Sequence, residues 1–325
     1  MTPRKIIIDT DPGIDDAMAI FYALASPELD VVGLTTVFGN AYVEHCTENA
    51  LNLLHIAGRP DIPVAQGAGR PIYGTFRGPS SHVHGDDGQS NLFLPPAPNR
   101  PIDRHAVQFI IDTVMAAPGE ITLAPVGPLT NIALALLQEP RLAANLAGIV
   151  LMGGNAFCPG NTTPAAEANI FNDPEAADVV FGAECPIVMA GLDVTEATLM
   201  TNEQIASLPS IGTERAQHLA RIVPFYLDFH HERGHLEGIH VHDSTVVSWM
   251  IAPQHYRSVD LPVRVDCSFG IGRGKTWPAK NETDSSSAWA DRPPVTILTE
   301  VDSPAVVALE LDRLGLPLPT RNGGL

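Results

Sequence analysis

Four carboxylates fall within eight positions near the start of the chain: Asp9, Asp11, Asp15 and Asp16 in IIIDTDPGIDDAMAI, residues 6–20. An apolar run precedes them and a helical pattern follows, so they stand where a strand gives way to a helix. Side chains at the carboxyl end of a parallel strand line the crevice where such sheets bind ligands. Asp15 and Asp16 also occupy the first helical turn, where the helix dipole favours anions by roughly 0.3–1 kcal/mol. That gain is small beside the mutual repulsion of several carboxylates in a low-dielectric cleft. A bound cation is the simplest remedy, and an all-oxygen donor set favours Ca²⁺ or Mg²⁺ over zinc. The plainer alternative is that Asp9 bonds nearby backbone while Asp15 and Asp16 cap the helix.

Other segments end in polar or glycine-rich turns that a parallel sheet would bring to the same edge. VFGN puts Asn40 at the rim, APVGPLTN runs from Ala124 to Asn131, and LMGGN runs from Leu151 to Asn155. Carboxylates and amides lining one crevice suit a polyhydroxylated ligand, because each hydroxyl needs a donor and an acceptor. Taken singly, Asn40, Gly153 and Gly154 are equally ordinary turn residues. Asn161, Glu167 and Asn169 in NTTPAAEAN reach the same ligand if that loop covers the cleft. HVHD at 240–243 precedes an apolar helix. Asp243 reads there either as a helix N-cap or as a distant ligand for the ion. His242 beside it could donate a proton, its ordinary pKa lying near ~6.5. His82 and His84, in HVHGDDG, sit in an irregular loop and either approach substrate or lie at the surface.

The positioning elements follow from periodicity. Lys5–Thr10, Asp30–Phe38, Ile121–Val126, Gly148–Met152 and Ile187–Ala190 read as buried strands. Ile14, Ala17, Met18, Phe21 and Ala25 recur at helical spacing, and Val43–Ala57, Thr130–Leu137, Pro174–Phe181, Thr213–Asp228, Val241–Met250 and Asp302–Leu314 read as helices. After Pro262 the pattern turns strand-like, and a polar connection runs from Trp277. This alternation predicts an α/β fold: one open, mainly parallel, Rossmann-like sheet with helices on both faces. No internal repeat or linker divides residues 1–325, which are expected to form a single domain. Gly67 to Pro101, rich in Gly, Pro, Ser, His and Asp, reads as a long functional loop.

Composition narrows the partners. The 325 residues are 45% hydrophobic and 17% charged, enough for a sizeable core. With 37 acidic against 19 basic residues, the net charge is -18. Tracking a phosphate backbone needs the opposite balance, so neither nucleic acid nor an anionic membrane is expected as a partner. Four scattered cysteines without a CxxC pair predict buried free thiols. The short apolar run before Asp9 is no signal sequence, and no run approaches a membrane span. A cytoplasmic protein is the expectation.

An apolar strand followed by DxD also opens haloacid-dehalogenase-like phosphatases. Here Gly13 stands where those have Thr or Val, and the only lysines are Lys5, Lys275 and Lys280, with none mid-chain. A non-catalytic nucleoside-binding protein using the same cleft is a second alternative. The whole pattern most closely resembles the inosine-uridine preferring nucleoside hydrolase family. The carrying residues are DTDPGIDD at 9–16, FGN at 38–40, HGDDG at 84–88 and VGPLTNIA at 126–133. MGG at 152–154, EANIFNDPEAA at 167–177 and HD at 242–243 continue them in order.

That resemblance implies a ribonucleoside hydrolase, releasing base and ribose with a Ca²⁺-activated water. It implies Ca²⁺ ligands at Asp11, Asp16, Asp243 and the Val126 carbonyl, with Asp11 also taking the water's proton and Asp9 supporting the loop. It places Asp15, Asn40, Asn161, Glu167 and Asn169 on the sugar, with Met152, His82, His84 and Tyr226 also facing substrate. His242 faces the base as proton donor, which is similar to the subgroup accepting purine and pyrimidine nucleosides, or pyrimidines alone. Ala168 stands where many relatives carry a bulky aromatic. The resemblance further implies a homodimer or homotetramer.

Overall fold

A computed structural model describes residues 2–234, 236–281 and 288–318. Lys5–Thr10 is apolar without alternation, the pattern of a strand covered on both faces. It lies in β1 (Arg4–Thr10), whose last five residues are buried. Ile6 and Ile8 pack into one hydrophobic core and Ile7 into a second, one on each side of the sheet. Further strands are β2 (Leu29–Thr36), β3 (Val64–Gln66), β4 (Ile121–Pro125), β5 (Gly148–Met152) and β6 (Ile187–Ala190). Then follow β7 (Leu199–Thr201), β8 (Gly238–His240), β9 (Tyr256–Val265), β10 (Thr276–Pro278) and β11 (Pro294–Val301).

Among the described residues, nine of these strands form one open sheet in the order β10-β9-β11-β6-β5-β4-β1-β2-β3, while β7 and β8 pair separately. β1 pairs in parallel with both β2 and β4. β9 runs antiparallel to β11 and β10, giving the sheet one antiparallel edge. The chain moves outward from β1 through β2 to β3, then returns to the other side of β1 as β4. This reversal opens a crevice at the carboxyl ends of β1 and β4, the place where open α/β sheets bind ligands. Asp9 is the second-last residue of β1, and Val126 directly follows β4.

Helices cover both faces, as the alternation predicts. The helix Ile14–Ala25 is buried along its whole length. It packs against helices Glu214–Gly234, Ser244–Ile251 and Ser303–Gly315. A helix apolar on all sides must be enclosed in this way. The Glu214–Gly234 helix runs six residues past the predicted end and carries Pro224 inside it. β9 begins at Tyr256, six residues before the predicted change of pattern at Pro262; its exposed first half hides the strand periodicity. Of the four thiols, all free, Cys46 is buried, but Cys158, Cys185 and Cys267 are only half-buried, against expectation. No helix among the described residues is long and apolar enough to cross a membrane.

The long Gly67–Pro101 segment contains one short helix, Ser81–His84. Its order comes from side chains. The Asp87 carboxylate accepts the backbone N–H groups of Gln89, Asn91 and Phe93 at 2.8, 2.9 and 2.6 Å. Asn49 Nδ2 donates to both Pro12 O (3.1 Å) and Asp87 O (2.7 Å), tying the segment to the turn after β1.

Behind the crevice, the last helix buries Glu310, which accepts a hydrogen bond from Ser244 Oγ at 2.8 Å. Burial pushes its carboxyl up to about 7. A folded-state pKa above the unfolded one means that the folded protein binds the proton more tightly. This stabilisation is full below the unfolded pKa and is lost as pH rises through about 7. Glu310→Gln, which imitates the protonated acid, should therefore gain in melting temperature relative to the native chain between pH 5 and 8. A gap that stays constant with pH would contradict this.

Candidate active site

Asp11 lies in the turn between β1 and the buried helix, 1% exposed. Its Oδ2 accepts the Asn40 backbone N–H at 2.7 Å, while Oδ1 has no hydrogen-bond partner. Two glycines make room for it. A Cβ built on Gly39 would stand 2.0 Å from Oδ2, and one on Gly127 2.3 Å from Oδ1. Asp16 is more fully bound. It accepts the Thr10 hydroxyl, the Gly13 N–H at 2.8 Å and Asn40 Nδ2 at 3.0 Å. Asp9 accepts Thr35 Oγ1 and, at 2.8 Å, Asn131 Nδ2, leaving Oδ2 unpartnered.

Asp15 and Asp243 complete the acid cluster. Oxygens of Asp15, Asp16 and Asp243 lie within 4.8 Å of one another, and all three residues are buried. Asp11 falls outside that set, although the sequence expectation pairs it with Asp16 and Asp243 and gives Asp15 to the sugar. Asp243 heads the helix Ser244–Ile251 but makes no capping bond, so its carboxylate is free to face the cluster.

Burial pushes every one of these acids upward. Asp15 and Asp16 reach about 6, and Asp9 about 7. Asp11 and Asp243 rise well above their ordinary range, through burial first and then their neighbours' charges. Orphaned oxygens on Asp11, Asp15 and Asp9 in a buried all-oxygen cluster match the needs of a hard divalent cation. Asp15, Asp16 and Asp243 are the side chains that could hold one, with Asp11 close enough to feel the charges of Asp16 and Asp15.

Above the acids opens a cavity of about 410 Å³. Every other substrate or base residue named from the sequence lines it: Asn40, His82, His84, Met152, Asn161, Glu167, Asn169, Tyr226 and His242, with Asp15, Val126 and Asp243 at its base. One side is polar. Glu167 caps the short helix Ala168–Asn172, accepting the N–H groups of Asn169 (2.7 Å), Ile170 (3.0 Å) and Gly154 (2.8 Å). Asn169 Nδ2 donates to Val126 O at 2.8 Å, which uses one of that carbonyl's two lone pairs. Asn161 Oδ1 accepts the Ala168 N–H at 3.1 Å.

The opposite side is aromatic. Tyr226, Phe229 and His230 project from one helix at i, i+3 and i+4, which puts them on one face. The Tyr226 ring stacks on His84, with centroids 5.6 Å apart, and its hydroxyl sits 3.5 Å from Asp15 Oδ2. His84 Nδ1 lies 3.9 Å from Asp15 Oδ1 but accepts the Ile14 N–H at 3.2 Å. Burial holds His84 down at about 4, so the contact is not an ion pair. His242 is pushed well below 6.5 by burial and by His240, His230 and His84; its Nδ1 meets Thr195 Oγ1 at 2.8 Å. His84 and His242 are therefore neutral imidazoles, whose N–H groups donate without carrying charge.

Sequence reading missed Glu196, His240 and Arg233, which also line the cavity. It missed Gln89 too, whose Nε2 donates to Gly13 O at 2.6 Å while its Oε1 meets His218 Nε2 at 3.1 Å. None of these sits in a spacing that marks chemistry.

The sequence model of the inosine-uridine preferring nucleoside hydrolase family matches residues 6–308. The chain is 44% identical over 314 residues to a probable uridine nucleosidase 2 of Arabidopsis thaliana, covering 96% of this chain and 97% of that one. A solved plant nucleoside hydrolase superposes with a TM-score of 0.94 at 38% identity, covering 97% of this chain and all of that one. A purine-preferring ribonucleoside hydrolase from Gardnerella vaginalis follows at 0.89 and 32%, covering 96% and 98%. The protein is thus an enzyme of the ribonucleoside hydrolase class. It belongs to the inosine-uridine preferring nucleoside hydrolase family.

The clustered acids make a prediction about stability. Asp15 and Asp16, raised to about 6, stabilise the fold while protonated and lose that contribution as pH rises. Chelated protein should melt at lower temperature at pH 8 than at pH 5. Added Ca²⁺ should raise the melting temperature more at pH 8, because only ionised carboxylates hold it. Calorimetry showing a Ca²⁺ effect largest at pH 5 would overturn the assignment.

Proposed function

We propose that the chain hydrolyses the N-glycosidic bond of ribonucleosides to free base and ribose, using Ca²⁺ held by Asp11, Asp16, Asp243 and the Val126 carbonyl. The observation that carries this reading is one cavity with three different boundaries. The buried acids Asp15 and Asp243 line it together with Asn40, Asn161, Asn169 and Glu167, and with Tyr226, Phe229, His84 and His242. A nucleoside divides the same way, into a reacting carbon, a polyhydroxylated ring and a flat base.

When bound, the ion acidifies a water and so supplies a hydroxide-like nucleophile. Asp11 Oδ1, buried and unpartnered, takes the proton that this water gives up. Asn40, Asn161, Glu167, Asn169 and Asp15 hold the sugar hydroxyls. Breaking the C–N bond leaves positive charge on the ribose, as in other glycosyl transfers. The surrounding carboxylates stabilise that charge without reorganising. Tyr226, His84, His82 and Met152 border the base. His242 presents an N–H to the departing base. Water attacks from the face opposite the base, so the anomeric carbon inverts.

Uridine and inosine are the proposed substrates. A pyrimidine-only enzyme is the second reading, favoured by the 44% identity to a relative named as a probable uridine nucleosidase.

A reducing-sugar assay across inosine, adenosine, uridine and cytidine, with and without EDTA, tests the proposal. Ribose should appear from uridine and inosine, vanish on chelation and return with Ca²⁺. A fully active metal-free preparation would exclude the mechanism. Asp11→Asn should lower kcat by at least about 10²-fold, the scale of a lost positioned base. Near-native turnover in that variant would remove Asp11 from its role.

A further inference from the structure

His242 reaches the cavity from the turn after β8, and what holds it is a residue from another part of the chain. Thr195 ends the short helix Leu192–Thr195 that follows β6. It is fully buried, and its hydroxyl lies 2.8 Å from His242 Nδ1. Among the described residues this is the hydrogen bond its side chain makes. Nδ1 being taken, Nε2 is the ring nitrogen left for whatever fills the cavity that His242 lines.

We infer that Thr195 is a positioning residue: its hydroxyl donates to His242 Nδ1 and thereby fixes the tautomer that points Nε2–H at the leaving base. A hydroxyl can donate or accept, so direction must be decided by surroundings. Asp15, Asp243 and Glu167 line the same cavity. Their oxygens, and the lone pairs of a base, accept hydrogen bonds, which favours an N–H directed inward over a lone pair. An inward N–H requires Nδ1 to be the acceptor, and so requires Thr195 to be the donor. Partner groups of this kind set which imidazole nitrogen carries the proton.

This rests on the nucleoside hydrolase reading and says what Thr195 adds to it. Water oxygen bonds to the anomeric carbon and gives its proton to Asp11. The C–N electron pair passes to the base nitrogen while His242 Nε2–H donates a hydrogen bond to the base. The base, once released, takes its proton from solvent, and Asp11 returns its own there.

Two measurements test the inference. The first compares uridine with 4-nitrophenyl ribofuranoside, whose leaving group departs as a stable anion and needs no donor. Thr195→Val should lower kcat on uridine on the order of 10²-fold, the lower range for a lost donor aimed at developing charge, with little change in KM. It should leave 4-nitrophenyl ribofuranoside turnover near the native rate, and Thr195→Ser should restore uridine turnover. Equal losses on both substrates, or no loss on uridine, would overturn the role.

The second measurement needs no variant at Thr195. Two-bond ¹H–¹⁵N spectra of the native, ¹⁵N-histidine-labelled protein report the His242 tautomer, assigned by the signal lost in His242→Asn. A proton on Nε2 is expected; a proton on Nδ1 would refute the inference even if Thr195→Val failed to fold. Native protein that cleaves neither substrate would instead defeat the proposed function, while the tautomer would still be read.

Discussion

Several carboxylates buried together repel one another, and most of the site is organised around that repulsion. Two unit charges about 4 Å apart interact by about 4 kcal/mol at an effective dielectric of 20. Oxygens of Asp15, Asp16 and Asp243 lie within 4.8 Å of each other, and Asp11 feels the charges of Asp16 and Asp15. The protein answers only in part. Thr10, Gly13 and Asn40 each donate to Asp16 and leave it lone-pair capacity, while Asp11, Asp15 and Asp9 keep unpartnered oxygens. Native structures rarely leave buried polar atoms unsatisfied without a functional reason. The glycines flanking Asp11 belong to the same arrangement, since a side chain at Gly39 or Gly127 would collide with its carboxylate.

From the acid floor the rest of the cavity follows. The sheet reverses at β1 and β4, so the acids sit at the crevice that reversal opens. Chain segments far apart in sequence then supply different chemistry to the same space. Glu167 spends its oxygens on three backbone N–H groups and still offers lone-pair capacity toward the cavity. Burial lowers the pKa of His84, His230, His240 and His242 and favours their neutral forms. Asp15 and Asp243 bring carboxylates to the cavity, while Arg233 stands over Phe229 beside the neutral imidazoles. That division suits a reaction that builds positive charge on the sugar and negative charge on the leaving group.

Much of this was legible in the sequence. The buried strands of the parallel sheet announce themselves by unbroken apolar runs, and Asp9–Asp16 by carboxylate density alone. Asp243 was ambiguous, because N-cap and ion ligand look identical in sequence; only its missing capping bond separates them. The first half of β9 was hidden by its exposure at the sheet edge. The order within 67–101 was hidden because it rests on side-chain-to-backbone bonds from Asp87 and Asn49, which have no period. Thr195 and Gln89 were hidden for a related reason: each bonds residues distant in sequence, which no local pattern encodes. The place of Asp15 beside Asp16 and Asp243 also needed coordinates, since adjacent helical residues need not point to the same space.

The central claim is that this acid cluster exists to hold one divalent cation. Equilibrium dialysis of chelator-stripped protein against radioactive Ca²⁺ at pH 8 reads that directly. The account predicts one ion per chain in the native protein and a large loss of affinity in both Asp16→Asn and Asp243→Asn. No saturable binding, or binding that survives both substitutions unchanged, would contradict it.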